Sequence, residues 1–164
     1  MPTIYFGLLI VSCSTSSKKT AENIIPINEF ALLNTSNLPG PRVDNKGNIY
    51  YETEKVAMIS NSGEIKTIEN KLVGEYKNDT LFTFGKSKNK FSINSNGDIH
   101  QDGDIFVWNK EGHLTKNTDT TGFRISPNES SSHLCASIVF LLYAMVDDVP
   151  TEDMPVDSLS APKK

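Results

Sequence analysis

The sequence has little of what most identifiable chemistry is built from. Its 164 residues include two cysteines and one tryptophan, which excludes the disulfide framework of a small secreted scaffold. No apolar run reaches the about 20 residues that a helix needs to cross a bilayer. The two longest, residues 4–11 and 134–146, stop short of it. Positive charge is never concentrated: the formal net charge is −4, with lysines and acids interleaved, so no surface for nucleic acid is encoded. There is no P-loop, dinucleotide-binding glycine fingerprint, zincin motif or nucleophile elbow, and the reactions carried by those motifs have no signature here.

What is present suits one globular domain with tails, since 37% apolar and 22% charged residues supply a single core. The acidity lies at the C-terminal end, where Asp147, Asp148, Glu152, Asp153 and Asp157 stand against Lys163 and Lys164. Residues 149–164, acidic and spaced by prolines, hold too few apolar groups for a core and are expected to be disordered.

Residues 4–11 (IYFGLLIV) have the length of a signal-peptide hydrophobic region. They lead into Ile10-Val11-Ser12-Cys13: an aliphatic residue, a β-branched one, a small one, then cysteine. This segment resembles the lipobox of bacterial lipoprotein precursors. The resemblance implies cleavage before Cys13, diacylation of its sulfur and acylation of its new amino group by palmitate-like chains. Residues 1–12 are then a signal peptide and residues 13–23 a Ser/Lys-rich tether. Two or more acyl chains anchor a protein stably, at about 0.8 kcal/mol per buried CH₂. The location implied is the bacterial cell envelope, the outer membrane ahead of the inner, with the domain on the periplasmic or outer side. Read from the residues alone, the alternative is an N-terminal core strand with Cys13 an ordinary thiol. A core strand rarely ends in this pattern followed by a serine-rich linker.

Residues 24–148 are expected to form a single β-rich domain. Residues 24–33 are apolar but interrupted by Pro26, and predict a short edge strand or packing segment. Residues 34–41 (NTSNLPGP) carry turn chemistry. Beyond them, five turns share the order polar, polar, glycine, polar, aliphatic, centred on Gly47, Gly63, Gly97, Gly103 and Gly112. Glycine takes the positive φ of a tight hairpin without penalty, and the aliphatic residue two places on starts a strand facing the core. Intervening runs such as TLFTF and IFVW are rich in β-branched and aromatic residues. The pattern predicts a mainly β fold: an antiparallel meander of roughly seven to ten strands, as a curled sheet or small sandwich. The stretch VDNKGNIYYETEKVAMISNSGEI resembles the hairpins of β-propeller blades. The about 85 residues available cannot close a propeller at about 40 to 45 per blade.

Near the C-terminus, serines precede the apolar run LCASIVFLLYAMV, which predicts one buried helix over residues 132–146. Apolar on nearly every face, it must be enclosed by the sheet or by a partner. A pair of core strands is the competing reading of so short a run.

The one constellation that merits weighing as chemistry is Asp98, His100, Asp102 and Asp104. As alternate residues they would share one face of an extended strand, in an order that partly resembles a calcium loop. Histidine stands where an oxygen ligand is usual, and Asn109 where a bidentate Glu is expected, so a solvated hairpin face is the preferred reading. No metal or other cofactor is assigned. A zinc pair of His100 and His113 lacks further ligands. Cys135 lies in an apolar run, two residues from His133 and thus on a different helical face, and reads as a small buried hydrophobe.

Two function classes follow. One is a membrane-anchored envelope lipoprotein whose non-enzymatic β-domain binds an envelope protein or glycan or serves structurally, with the bilayer as partner through Cys13. The other is a small envelope enzyme or weak metal-binding protein using Asp98, His100, Asp102 or Asp104, with Glu111 as a further acid.

Overall fold

The computed structural model of the chain describes residues 24–34, 36–84 and 90–144. The signal segment and tether expected over residues 1–23, Cys13 among them, and the tail over 149–164 lie outside the described residues. Twelve strands run in chain order: β1 (Phe30–Asn34), β2 (Pro39–Val43), β3 (Asn48–Tyr51), β4 (Glu54–Ile59), β5 (Glu64–Thr67), β6 (Leu72–Lys77), β7 (Thr80–Thr83), β8 (Lys90–Ile93), β9 (Ile99–Gln101), β10 (Asp104–Trp108), β11 (His113–Lys116) and β12 (Asp119–Ser126). A 3-10 turn (Ser130–Ser132) leads into the helix α1 (His133–Ala144). The fold is mainly β, an antiparallel meander with one C-terminal helix, as the turn spacing and the apolar run predict.

The meander goes further than predicted. Each strand pairs with its chain neighbours, and β1 pairs with both β2 and β12, so the sheet closes into a barrel rather than remaining a curled sheet or folding into a sandwich. The expected edge strand therefore closes the ring. Closure satisfies every strand on both sides and leaves no open edge to template aggregation. Residues 34–41, read as turn, also supply the start of β2. Pro39 and Pro41 are tolerated there because the β1–β2 register shifts between Ala31 and Leu33, and a proline in a strand is accommodated at such irregularities.

The turns at one end of the barrel share a local cause. Asp44 Oδ1 accepts the backbone N–H groups of Lys46 and Asn48, each at 2.9 Å, while Gly47 donates its N–H to the Asp44 carbonyl at 2.9 Å. Asn94 binds Asn96 and Asp98 in the same way, and Asn109 binds Glu111 and His113. The short polar side chain three places before the glycine thus organises the loop. The aliphatic residue two places after the glycine then enters the core: Ile49, Ile65, Ile99 and Leu114 are all buried.

The Gly103 turn is of another kind. Asp102 and Gly103 form a two-residue connection with φ of 51° and 90°, at the opposite end of the barrel. Because side chains alternate along a strand, the shorter turn reverses the parity, and Ile105 points outward at 42% exposure.

Alternation fills the lumen with Phe30, Leu32, Ile65, Leu81, Ile99 and Leu114, all essentially inaccessible. Through their midst runs α1. Its eight consecutive residues Leu134, Cys135, Ala136, Ser137, Ile138, Val139, Phe140 and Leu141 are buried, which at 3.6 residues per turn leaves no exposed face. The enclosure predicted for this segment is supplied by the sheet. Phe140 meets Phe106 and Phe123 with ring centroids 6.3 and 5.2 Å apart, and Tyr143 meets Tyr51 at 5.7 Å. The helix is shorter than predicted at its start because Ser130–Ser132 wind as a 3-10 turn. The Ser131 and Ser132 hydroxyls accept from Asn28 Nδ2 at 3.0 and 3.4 Å.

Candidate functional site

The barrel disperses the constellation that the sequence singled out. Asp98 belongs to the turn before β9, where Asn94 Nδ2 donates to its Oδ2 at 2.8 Å. His100 lies exposed at the middle of β9, opposite Ser92 and Ile105. Asp102 occupies the two-residue turn at the other end of that strand, and Asp104 begins β10. The expected shared face is thus broken, because the positive φ of Asp102 ends the extended backbone that alternation requires. The calcium-loop-like order is a strand, a hairpin turn and a second strand.

Asp104 has its own partners. Lys116 Nζ lies 2.7 Å from its Oδ2 and Asn117 Nδ2 donates to Oδ1 at 3.0 Å, and these contacts hold the carboxyl below its usual range. His100 and His113 sit on β9 and β11 with β10 between them. Glu111 is exposed in the turn before β11. Among the described residues, no three of His, Cys, Asp and Glu gather closely enough to hold a metal ion.

Cys135 and His133 are also kept apart chemically. Burial pushes the Cys135 thiol up to about 12, so it is un-ionised at neutral pH and inert as a nucleophile. The His133 ring lies against Trp108 with centroids 5.9 Å apart, and its Nε2 meets Asn128 Oδ1 at 2.8 Å. Burial lowers its pKa, and the Asp98 charge opposes that shift.

Two arrangements escaped the sequence reading. The first is a buried relay: Trp108 Nε1 donates to Ser137 Oγ at 2.8 Å, and Ser137 Oγ donates to the Gly97 carbonyl. A serine inside an otherwise apolar helix was its sequence signal. The second is an apolar stripe outside the barrel. Phe82 and Phe84 alternate with buried Leu81 and Thr83 and are 37% and 43% exposed, with Leu72 and Ile68 also exposed on the neighbouring β5–β6 region. Lys90 Nζ stands 5.8 Å from the Phe82 ring centre. Period-two alternation in TLFTF carried this signal, but the run reads equally as core.

The chain matches no family model, no curated protein and no solved structure. What the arrangement can do chemically follows from its own geometry. The polar groups at the turns are spent on holding loops, the buried thiol is unreactive, and the lumen is occupied by the protein's own helix.

Proposed function

We propose that this chain is a bacterial envelope lipoprotein, held to the membrane through acylated Cys13, whose barrel acts as a non-enzymatic binding or structural module. The carrying observation is the Ile10-Val11-Ser12-Cys13 pattern at the end of an apolar octet and ahead of a hydrophilic spacer. The barrel suits such a role: a closed sheet packed around its own helix has a self-contained core, and it offers its outer face and loop ends for contact. The dispersal of Asp98, His100, Asp102 and Asp104 gives the enzyme and metal-binding readings no supporting geometry. The partner of the outer face is an envelope protein or glycan.

The test is the intact mass and detergent partitioning of the chain produced in a bacterium. The expected product begins at Cys13, carries fatty acid and partitions into detergent. Cys13→Ser should block acylation and leave an unprocessed or soluble form. An unmodified chain still carrying residues 1–12, in a host that processes its other lipoproteins, would refute the reading.

A further inference from the structure

Asn96-Gly97 is the only Asn-Gly pair in the sequence, and it lies where the lumen helix docks. Asn96 is exposed in the turn between β8 and β9, while Gly97 is buried with φ of 87°. An asparagine followed by glycine is chemically labile. The glycine nitrogen attacks the asparagine Cγ, the new N–C bond forms as the C–NH₂ bond breaks, and the proton leaves with ammonia. Water then opens the resulting succinimide at either carbonyl, giving aspartate or isoaspartate.

Here the attacking nitrogen is held. Gly97 donates its N–H to the Asn94 carbonyl at 2.9 Å, and its own carbonyl accepts from Ser137 on α1. The helix entrance presses directly on this residue, since a Cβ added to Gly97 would lie 2.6 Å from the His133 carbonyl carbon and oxygen. Ring closure therefore needs the turn to move away from the helix. The isoaspartyl product adds a methylene to the main chain beside a residue that has no room for a carbon against the helix entrance.

We propose that Asn96-Gly97 is a deamidation site gated by helix docking, and that its isoaspartyl product prevents the helix entrance from docking again. Asp102-Gly103 provides a control within the same chain. It forms a succinimide by loss of water from the aspartate, in an exposed turn where a Cβ on Gly103 meets nothing within 4 Å. Trp108 reports docking, because it is the sole tryptophan, is 6% exposed and bonds to Ser137.

The experiment ages the purified chain at mildly alkaline pH, folded and in guanidinium, and follows isoaspartate at both sites by peptide mapping. Conversion at Asn96 should be slower in the folded chain by about tenfold or more, the factor set by an opening equilibrium of 1 in 10 or less. After return to native buffer, molecules with isoaspartate at 96 should fail to recover the Trp108 emission of fresh protein. Molecules modified only at 102 should recover it. Freshly prepared Asn96→Asp, which adds the charge without lengthening the backbone and is not aged because its new Asp-Gly pair can itself form a succinimide, should show the emission of fresh wild type. Asn96→Gln should abolish the loss on ageing. Equal rates in the folded and unfolded chain would overturn the gating. Native emission and melting temperature with isoaspartate at 96, or loss of emission in unaged Asn96→Asp, would overturn the proposed consequence of backbone lengthening.

Discussion

Trp108 on β10 and Ser137 on α1 are joined by a buried hydrogen bond of 2.8 Å from the indole Nε1 to the serine Oγ, across 29 residues of sequence. The same hydroxyl donates to the carbonyl of Gly97, so one oxygen ties the helix to a strand and to a turn. A buried polar group must find partners, and here the three groups satisfy one another.

Ser137→Ala removes the shared atom and leaves an N–H donor and a carbonyl in the core without it. The expected loss is about 1–3 kcal/mol, the cost of leaving a buried polar group unsatisfied, read from urea denaturation. Trp108→Phe combined with Ser137→Ala should cost less than the two single losses together, since the pair is then removed as a unit. Strict additivity would mean that the relay does not couple helix to strand.

Gly97→Ala and Gly103→Ala form a matched pair, because both glycines have φ near 90°. Both substitutions incur the left-handed backbone penalty of about 1–2 kcal/mol. Only at Gly97 does the added carbon also collide with main chain, that of His133 and Leu134. Gly103→Ala should therefore fold with a modestly reduced melting temperature, whereas Gly97→Ala should lose the folded state or most of its stability. Equal melting temperatures would show that the helix does not press on this turn.

These pairs show what the sequence could and could not convey. The Gly47, Gly63, Gly97 and Gly112 turns were legible because glycine at a hairpin is a local requirement. The turn between β6 and β7 was not, because Asn78 and Asp79 adopt φ of 51° and 54° without glycine. Asp79 nonetheless does the same work: its carbonyl accepts the Ile93 N–H at 2.9 Å, as the Gly47 and Gly63 carbonyls accept from Ile59 and Tyr76. Missing that turn hid the regular hairpin repeat, and with it the strand count. Closure through β1 was illegible for a different reason: pairing of Leu32 with Ile125 is a contact between chain ends that no local pattern encodes. The candidate carboxylates failed for a third reason, since alternation predicts a common face only while the backbone stays extended.

Acid should reveal Asp44 and His133. For Asp44, slight burial is the largest influence and raises the pKa. Hydrogen bonds from the Asn48 side chain, the Asn48 and Lys46 backbone and Tyr50 together outweigh it, lowering the pKa from 3.8 to about 2. A carboxyl with a depressed folded pKa contributes stability above its unfolded value, and that contribution is lost as pH falls from 3.8 toward 2. His133, lowered from 6.5 by burial against the Asp98 charge, binds its proton more readily in the unfolded chain. Its folded state is fully favoured above pH 6.5 and loses ground as pH falls through that value. Denaturation midpoints across pH should show both declines. Asp44→Asn should flatten the lower one, and His133→Gln the upper one. A wild-type curve that is level between pH 7 and 5 would contradict the His133 environment.

The lumen helix is the element on which the barrel most depends, and Leu141 probes it best. Leu141 is fully inaccessible and Phe140 is 3% exposed, packed between Phe106 and Phe123. Leu141→Ala leaves a cavity that a closed sheet cannot collapse to fill, and should cost about 2–5 kcal/mol. Leu141→Asp places an unpaired charge in the same space, and such burial is prohibitive; residues 20–164 with this change should fail to accumulate as soluble protein. The buried run of the helix ends at Leu141, and the acidic, proline-spaced sequence beyond residue 148 holds too few apolar groups to add to a core, so truncation after Asp148 should leave the melting temperature unchanged. Cys135, one helical face away, supplies an independent reading in the wild-type chain. Its thiol, fully buried, should resist alkylation in native buffer and react in denaturant. If Leu141→Asp melted with the wild type, or Cys135 reacted freely in the folded chain, the helix would not occupy the lumen.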